Sequence, residues 1–368
     1  MTRNLKNTFP VCFLSNSRLL IFKNSSFCIL DLTDGKISRL ARFNTSISEA
    51  VFTRIPIISR ILRKGIRCGI KVSENLTVFV SGKRIYEINI NTGQISDGYI
   101  TPDKSRPLVL SKIESIKGFD DGIYFGGYKG NPNKHPISIF KRINKDDWIE
   151  VFTFPLGSIE HIHNLIPDPY KNVVYIFTGD SNHSAGIWKA ENGFTVVSPI
   201  LIGDQKYRSC VGFPTPEGLI YATDSPFTQN SIRLLRNPDG KWESKKLMII
   251  NGPSIYGCNW GDDFVFSTSV EGDGRNQNLW AKTFQRVRGK GVIEDFSFVY
   301  KGNFKNGFKA FYKIEKDLLP FYLFQFGVLK FPSGFNESIF LPVYHMATKK
   351  YGMGTILLEV NQSLNLKK

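Results

Sequence analysis

The stretch NVVYIFTGD at residues 172–180 has four companions along the chain: NLTVFVSG at 75–82, DGIYFGG at 121–127, EGLIYATDS at 217–225 and DDFVFSTS at 262–269. Each is a short run of aromatic and β-branched residues after a turn, a composition that suits a pleated strand. Their central aromatics, Phe79, Tyr124, Tyr175, Tyr221 and Phe266, stand 45, 51, 46 and 45 residues apart. The series extends to Phe22 in RLLIF and Tyr322 in PFYLF with wider steps of 57 and 56 residues, which imply an insertion in each terminal unit. A period of about 40 to 50 residues filled with short strands is what four-stranded propeller blades produce. The fold expected is all-β: a single β-propeller domain over residues 1–368, built from four-stranded antiparallel blades. The count favours seven blades, and six results if the two ends combine into one.

Within the units, turns such as Thr33-Asp34-Gly35, Asn91-Thr92-Gly93 and Pro238-Asp239-Gly240 supply the positive-φ positions that join antiparallel strands. One stretch breaks the pattern. Residues 47–66, SISEAVFTRIPIISRILRKG, carry Val51, Ile55, Ile58 and Leu62 at helical spacing, with Arg54, Arg60, Arg63 and Lys64 among them. This predicts a helical insertion between the first two blades, packed across the side of the propeller. Its amphipathic pattern also allows weak contact with a membrane surface.

Composition bounds the function. The 30 Phe and 14 Tyr exclude a disordered chain. A formal charge of +16 favours anionic partners. No zinc-finger spacing, RNP-like signature or basic arm is present, so nucleic acid is not the expected polyanion. Five cysteines, Cys12, Cys28, Cys68, Cys210 and Cys258, lie in no metal-binding spacing, and most sit in apolar runs as small hydrophobes. The opening residues lack the apolar core of a secretory signal, and no run of about 18 apolar residues could span a bilayer. A cytoplasmic location is expected on that reading.

Candidate chemistry gathers where strand polarity brings blade elements together. His161 and His163 in Glu160-His161-Ile162-His163-Asn164 project to one face of an extended strand. If that strand is the innermost of its blade and the next ends at Thr178-Gly179-Asp180, then His161 and Asp180 meet at one end of the channel. The same construction places Tyr207 and Arg208 beside Asp224, and Tyr256 beside Thr268 and Ser269. Loops on that face bring Tyr128, Lys129, His135, Asn182, His183, Asn230, Glu271 and Arg275 to the rim. His161, His163, Asp180 and Asp224 are thus the candidate catalytic residues, with a His as general base near neutral pH and an Asp orienting it or supplying a proton. Arg208, Tyr207, Tyr128, His183, Asn230 and Tyr256 are the candidate substrate-binding residues, Arg208 through a bidentate fork on a carboxylate or sulfate. His161 and His163 with an Asp also suit a divalent metal. The bland alternatives are that the His pair satisfies backbone groups and that Asp180 and Asp224 cap turns.

From Gly126 to Leu235 the chain, including GGYKGNPN, GSIEHIHNLIPDPYKNVVYIFTGDSNHSAGIWKAENGFT and GLIYATDSPFTQNSIRLL, resembles uncharacterised propeller proteins related to the sialidase-like, Asp-box (BNR) repeat group. Ala190-Glu191-Asn192-Gly193-Phe194-Thr195 looks like a worn Asp-box, with Ala and Asn where Ser and Asp are usual. The resemblance implies a propeller and makes glycans the first substrate class. Sialidases of that group use three arginines around a carboxylate and a Tyr–Glu nucleophile pair. That set has no match here, where the repeat puts only Arg208 at the inner mouth. The expected function is that of a carbohydrate-active propeller, a glycoside hydrolase or polysaccharide lyase working on an anionic glycan. The alternative is a non-catalytic glycan- or protein-binding propeller in surface polysaccharide assembly.

Overall fold

The computed structural model describes residues 3–43, 56–62, 65–145, 147–274 and 278–359. Seven antiparallel sheets follow one another around a central channel, and each is a meander with its first strand innermost. Blade one is Thr8–Phe13, Arg18–Lys23, Ser26–Asp31 and Ile37–Arg42. Blade four is His161–Asp168, Val173–Gly179, Gly186–Glu191 and Val196–Ile202, and blade five is Ser209–Thr215, Gly218–Thr223, Asn230–Arg236 and Glu243–Ile250. Blade two has three full strands, Ile66–Ser73, Leu76–Ser81 and Arg84–Asn89, and its fourth place is held by single bridges from Ile88 to Ile95 and from Ile85 to Tyr99.

The core explains why the repeat is aromatic. Among the described residues, each blade–blade interface holds a buried apolar cluster; Phe27, Phe79 and Tyr86 fill the first, and Tyr175, Phe177 and Tyr221 the fourth. A second strand is covered on both faces by its neighbours. It therefore reads as a continuous apolar run, and every residue of Val173–Gly179 is buried. The five central repeats from Phe79 to Phe266, and Phe22 before them, all lie on second strands.

One expectation needs correction. Tyr322 is not a strand centre: PFYLF forms the short helix Phe321–Phe324, where Phe321 packs with Val270 and Val292 beneath the long insertion of blade six. The second strand of blade seven is Phe340–Thr348, between Val328–Lys330 and Gly352–Glu359. The two chain ends do share that blade, as its third and fourth strands, with Arg3–Lys6 pairing antiparallel to Gly352–Glu359. They complete the seventh blade, so the count is seven.

Of the segment 47–66, residues 47–55, 63 and 64 lie outside those described. Pro56–Leu62 is helical, and Ile66 already belongs to the inner strand of blade two. The helix rests against the Phe321–Phe324 helix. Arg60 Nε donates to the Phe324 carbonyl at 2.7 Å, and Arg60 Nη1 pairs with Asp317 at 2.7 Å. Among the described residues, no helix is long and apolar enough to cross a membrane.

Candidate functional site

Every inner strand starts at the same end of the channel and every second strand ends there. At that end lies a cavity of about 590 Å³, within the size range of sites for small ligands. Its blade-four wall is built by strand pairing: His161 stands opposite Gly179, and Glu160 Oε2 accepts the backbone N–H of Asp180 at 2.5 Å and of Ser181 at 2.9 Å. Those two bonds fix the position of the Asp180 carboxylate. The inner strand bulges at His163, between the pairs Ile162–Thr178 and Asn164–Phe177. A bulge re-aims one side chain, and blades two and five bulge in the same way at Arg67 and Cys210. All three bulged residues line the cavity.

The histidines are buried and oriented from two neighbouring blades. His161 Nδ1 lies 3.2 Å from the Lys129 carbonyl oxygen, and His163 Nδ1 lies 2.9 Å from the Ser209 carbonyl oxygen. A carbonyl only accepts, so each Nδ1 carries the proton and donates it. Each Nε2 is then left with its lone pair facing inward. The two Nε2 atoms are 3.1 Å apart, and Asp180 Oδ1 stands 3.1 Å from one and 3.4 Å from the other. Three acceptors therefore converge on one point. Bonds of roughly 2.0–2.2 Å to a divalent cation put adjacent ligands about 3 Å apart, so His161, His163 and Asp180 suit such an ion. Imidazoles anchored through Nδ1–H to carbonyl oxygens are the usual arrangement of metal-ligating histidines.

Gly179 makes room for this. A Cβ there would stand 2.2 Å from His163 Cε1, so the ring lies flat against bare backbone.

Arg208 binds the blade-four and blade-five halves together. Its Nη2 is 3.0 Å from Asp180 Oδ1, its Nη1 donates to the Asp180 carbonyl at 3.2 Å, and its Nε is 3.5 Å from Asp224 Oδ2. Burial favours the neutral acid at Asp180, but the Arg208 charge outweighs it and holds the carboxyl well below the ordinary range. Asp224 is buried, takes the Cys210 thiol at 3.2 Å on Oδ2, and leaves Oδ1 without a partner. Glu271, across the cavity, accepts from Ser269 Oγ at 2.6 Å. Burial first, then the Asp224 charge, push its carboxyl up to about 7. The site thus contains one carboxylate held ionised and one that exchanges its proton near neutrality.

The other expected residues divide. Tyr128 lines the cavity, with its ring 4.4 Å from that of His161, and Tyr256 lines it too. Burial pushes both phenols up, so they stay protonated as donors. Arg208 is engaged by two carboxylates, which leaves its fork no free face for a substrate. Tyr207 turns away, packing with Tyr221 and Leu235 between blades and lying under the Lys206 amine. His183 and His135 are exposed on their loops. Asn230 does not line this cavity. Its side chain is buried and bonded throughout: Oδ1 accepts from Thr223 Oγ1 and the Ser225 N–H, while Nδ2 reaches the carbonyls of Ser225, Thr228 and Gly291. It organises a loop. Arg275 lies outside the described residues.

Arg208 is not the only arginine at the mouth. Arg67 lines the cavity from blade two, Arg106 from the loop before blade three, and Lys330 from blade seven. Sequence reasoning missed Arg67 because the helical pattern of 47–66 runs into the start of its strand. The rule that placed Arg208, residues at the start of an inner strand, finds Arg67 as well once that strand is recognised.

No family model matches the chain, and no curated protein matches it. Solved structures do. An oligogalacturonate lyase from Vibrio parahaemolyticus superposes with a TM-score of 0.59 at 12% identity, covering 98% of this chain and 92% of that one. A chain of the Mitotic Checkpoint Complex gives 0.56 at 7% identity, covering 98% and 93%, and the CNH domain of AfRom2 gives 0.51 at 7%, covering 97% and 95%. Likeness at such identity is likeness of fold, and the class that fold defines is the seven-bladed β-propeller.

Proposed function

We propose that this protein is a carbohydrate-active propeller that cleaves a glycosidic bond of an anionic glycan in the cavity at the end of its channel. The observation that carries this reading is the pair of carboxyls facing one space: Asp224 with a free Oδ1, and Glu271 protonated up to about pH 7. A carboxyl kept protonated to near neutrality suits the general acid that cleaves such a bond, and a second carboxyl on the same cavity suits the base. Asp224 is the base and Glu271 the acid. In hydrolysis, Asp224 takes a proton from the water whose oxygen bonds to the anomeric carbon, the glycosidic C–O bond breaks, and Glu271 protonates the leaving oxygen. In elimination, Asp224 takes the C–H proton beside an acidic sugar's carboxylate, a C=C bond forms, and the leaving oxygen again receives the Glu271 proton.

His161, His163 and Asp180 would hold a divalent ion, which would supply a fixed positive charge beside the cavity. Arg208 positions Asp180 and Asp224 and offsets their charge. The anionic substrate class is supported by the net charge of +16 and by the arginines and lysine in the cavity wall. The similar chain from Vibrio parahaemolyticus is an oligogalacturonate lyase, which is consistent with a propeller carrying out this chemistry.

The test is a panel of acidic polysaccharides assayed by product mass. Asp224→Asn and Glu271→Gln are each expected to lose about 10²- to 10⁴-fold in turnover while remaining folded. A product one water lighter than the hydrolytic product identifies elimination. Unchanged turnover in both variants overturns the proposal, and binding without any product favours the non-catalytic alternative.

A further inference from the structure

Arg67 and Lys330 line the cavity with no carboxylate paired to them among the described residues. Among the described residues, neither makes an ion pair or a side-chain hydrogen bond, and Arg67 Nε is buried without an acceptor. Arg208 at the same cavity differs, because Asp180 and Asp224 neutralise it. Aromatic rings hold the two cations instead. The Arg67 guanidinium lies 5.2 Å from the centre of the Tyr128 ring, and the Lys330 amine lies 4.8 Å from that of Tyr256 and 5.9 Å from that of Phe9. Cation–π contacts stabilise a partly desolvated charge without supplying the anion it lacks. Burial, then the charge of Arg67, pulls the Lys330 amine down to about 8, so the two cations repel each other.

Like charges kept side by side in a cavity raise the free energy of the empty site and lower that of an anion complex. The two residues stand where the 590 Å³ cavity meets a second one of about 260 Å³, and both line each. Tyr128 connects them to the proposed chemistry, because its ring touches Arg67 on one side and lies 4.4 Å from the His161 ring on the other.

We infer that Arg67 and Lys330 form an anion subsite that takes the carboxylate of a uronic acid residue, with Arg67 gripping the two oxygens and Lys330 closing from blade seven. This rests on the glycan reading above and adds to it the identity of the acidic group and the residues that select it. Arg67 can meet both carboxylate oxygens through parallel N–H donors, and Lys330 adds a point charge. The sugar bearing that carboxylate then sits one aromatic ring away from His161, His163 and Asp180.

The experiment is calorimetric titration of the full chain with galacturonate and glucuronate oligomers, and with their neutral galactose and glucose counterparts. The wild type is expected to bind a uronate series at least about tenfold more tightly than its neutral series. Arg67→Gln and Lys330→Met are expected to weaken the uronates by about 10- to 100-fold, the scale of a charge-assisted hydrogen bond, and to leave neutral sugars unchanged. Equal wild-type affinity for acidic and neutral sugars overturns the inference without reference to any variant. So does uronate binding that survives in both variants. The two claims separate cleanly: uronate binding lost in these variants, with no product from the wild type, sustains the subsite and overturns the cleavage reading.

Discussion

Gly179 and Glu271 show how far single residues decide this site. Gly179→Ala places a Cβ 2.2 Å from His163 Cε1, and since the neighbouring atoms belong to a buried ring held through Nδ1 by the Ser209 carbonyl, the ring must move. The expected result is a folded protein, destabilised by about 1–3 kcal/mol, that has lost bound divalent ion, as His163→Ala also does. Metal analysis after loading and desalting checks both; wild-type metal content in His163→Ala would refute the ligand assignment. Glu271 makes a prediction with a definite sign. Its carboxyl is raised from 4.5 to about 7 in the folded protein, so the folded state holds this proton more tightly than the unfolded one. Stability from this group is complete below about 4.5 and is lost as pH rises through about 7. Glu271→Gln carries no such charge. Urea titrations at pH 4.5 and 8 are expected to show the wild type losing on the order of 3 kcal/mol relative to the variant. The opposite sign would mean that Glu271 is ionised when buried. Turnover, which needs the protonated acid, is expected to fall above about pH 7.

Among the elements, the inner-strand bulges and the loop after the second strand of blade five position the site. Asn230 makes five hydrogen bonds, four to Thr223, Ser225 and Thr228 of blade five and one to the Gly291 carbonyl in the insertion of blade six. Asn230→Ala leaves buried groups unpaired and is expected to cost about 2–5 kcal/mol in chemical denaturation, with the loss of activity following the loss of loop order. A change below 0.5 kcal/mol, the level of an ordinary surface substitution, would contradict the structural role. At this scale much was legible beforehand. Second strands buried on both faces leave an apolar run with an aromatic at its centre, and strand polarity then brings His161 to Asp180. Blade seven was not legible, because Phe340–Thr348 carries Pro342 and His345 inside it, whereas the more apolar PFYLF is a helix under an insertion. The loops were hardest to read. Asn230 and His183 were both polar loop residues in sequence, yet one is buried and fully bonded while the other is exposed. Arg67 and Lys330 were missed because one follows a helix-like stretch and the other ends a strand of three residues.

The whole molecule is a ring that Arg3–Lys6 closes by joining the last blade, and the ring makes residues far apart in sequence share one cavity. Blades two and seven contribute Arg67 and Lys330, blade four the cluster of His161, His163 and Asp180, and blades five and six the two carboxyls. A chain of +16 adds long-range attraction for a polyanion. The account stands or falls on whether a glycosidic bond reaches those carboxyls. The most direct measurement is a crystal structure of Glu271→Gln, slowed but still binding, with an acidic oligosaccharide from the active panel. The account predicts a glycosidic oxygen within hydrogen-bond reach of residue 271 and the adjoining sugar facing Asp224 Oδ1. An oligosaccharide bound outside this cavity, or inside it with its linkages away from both carboxyls, would contradict it.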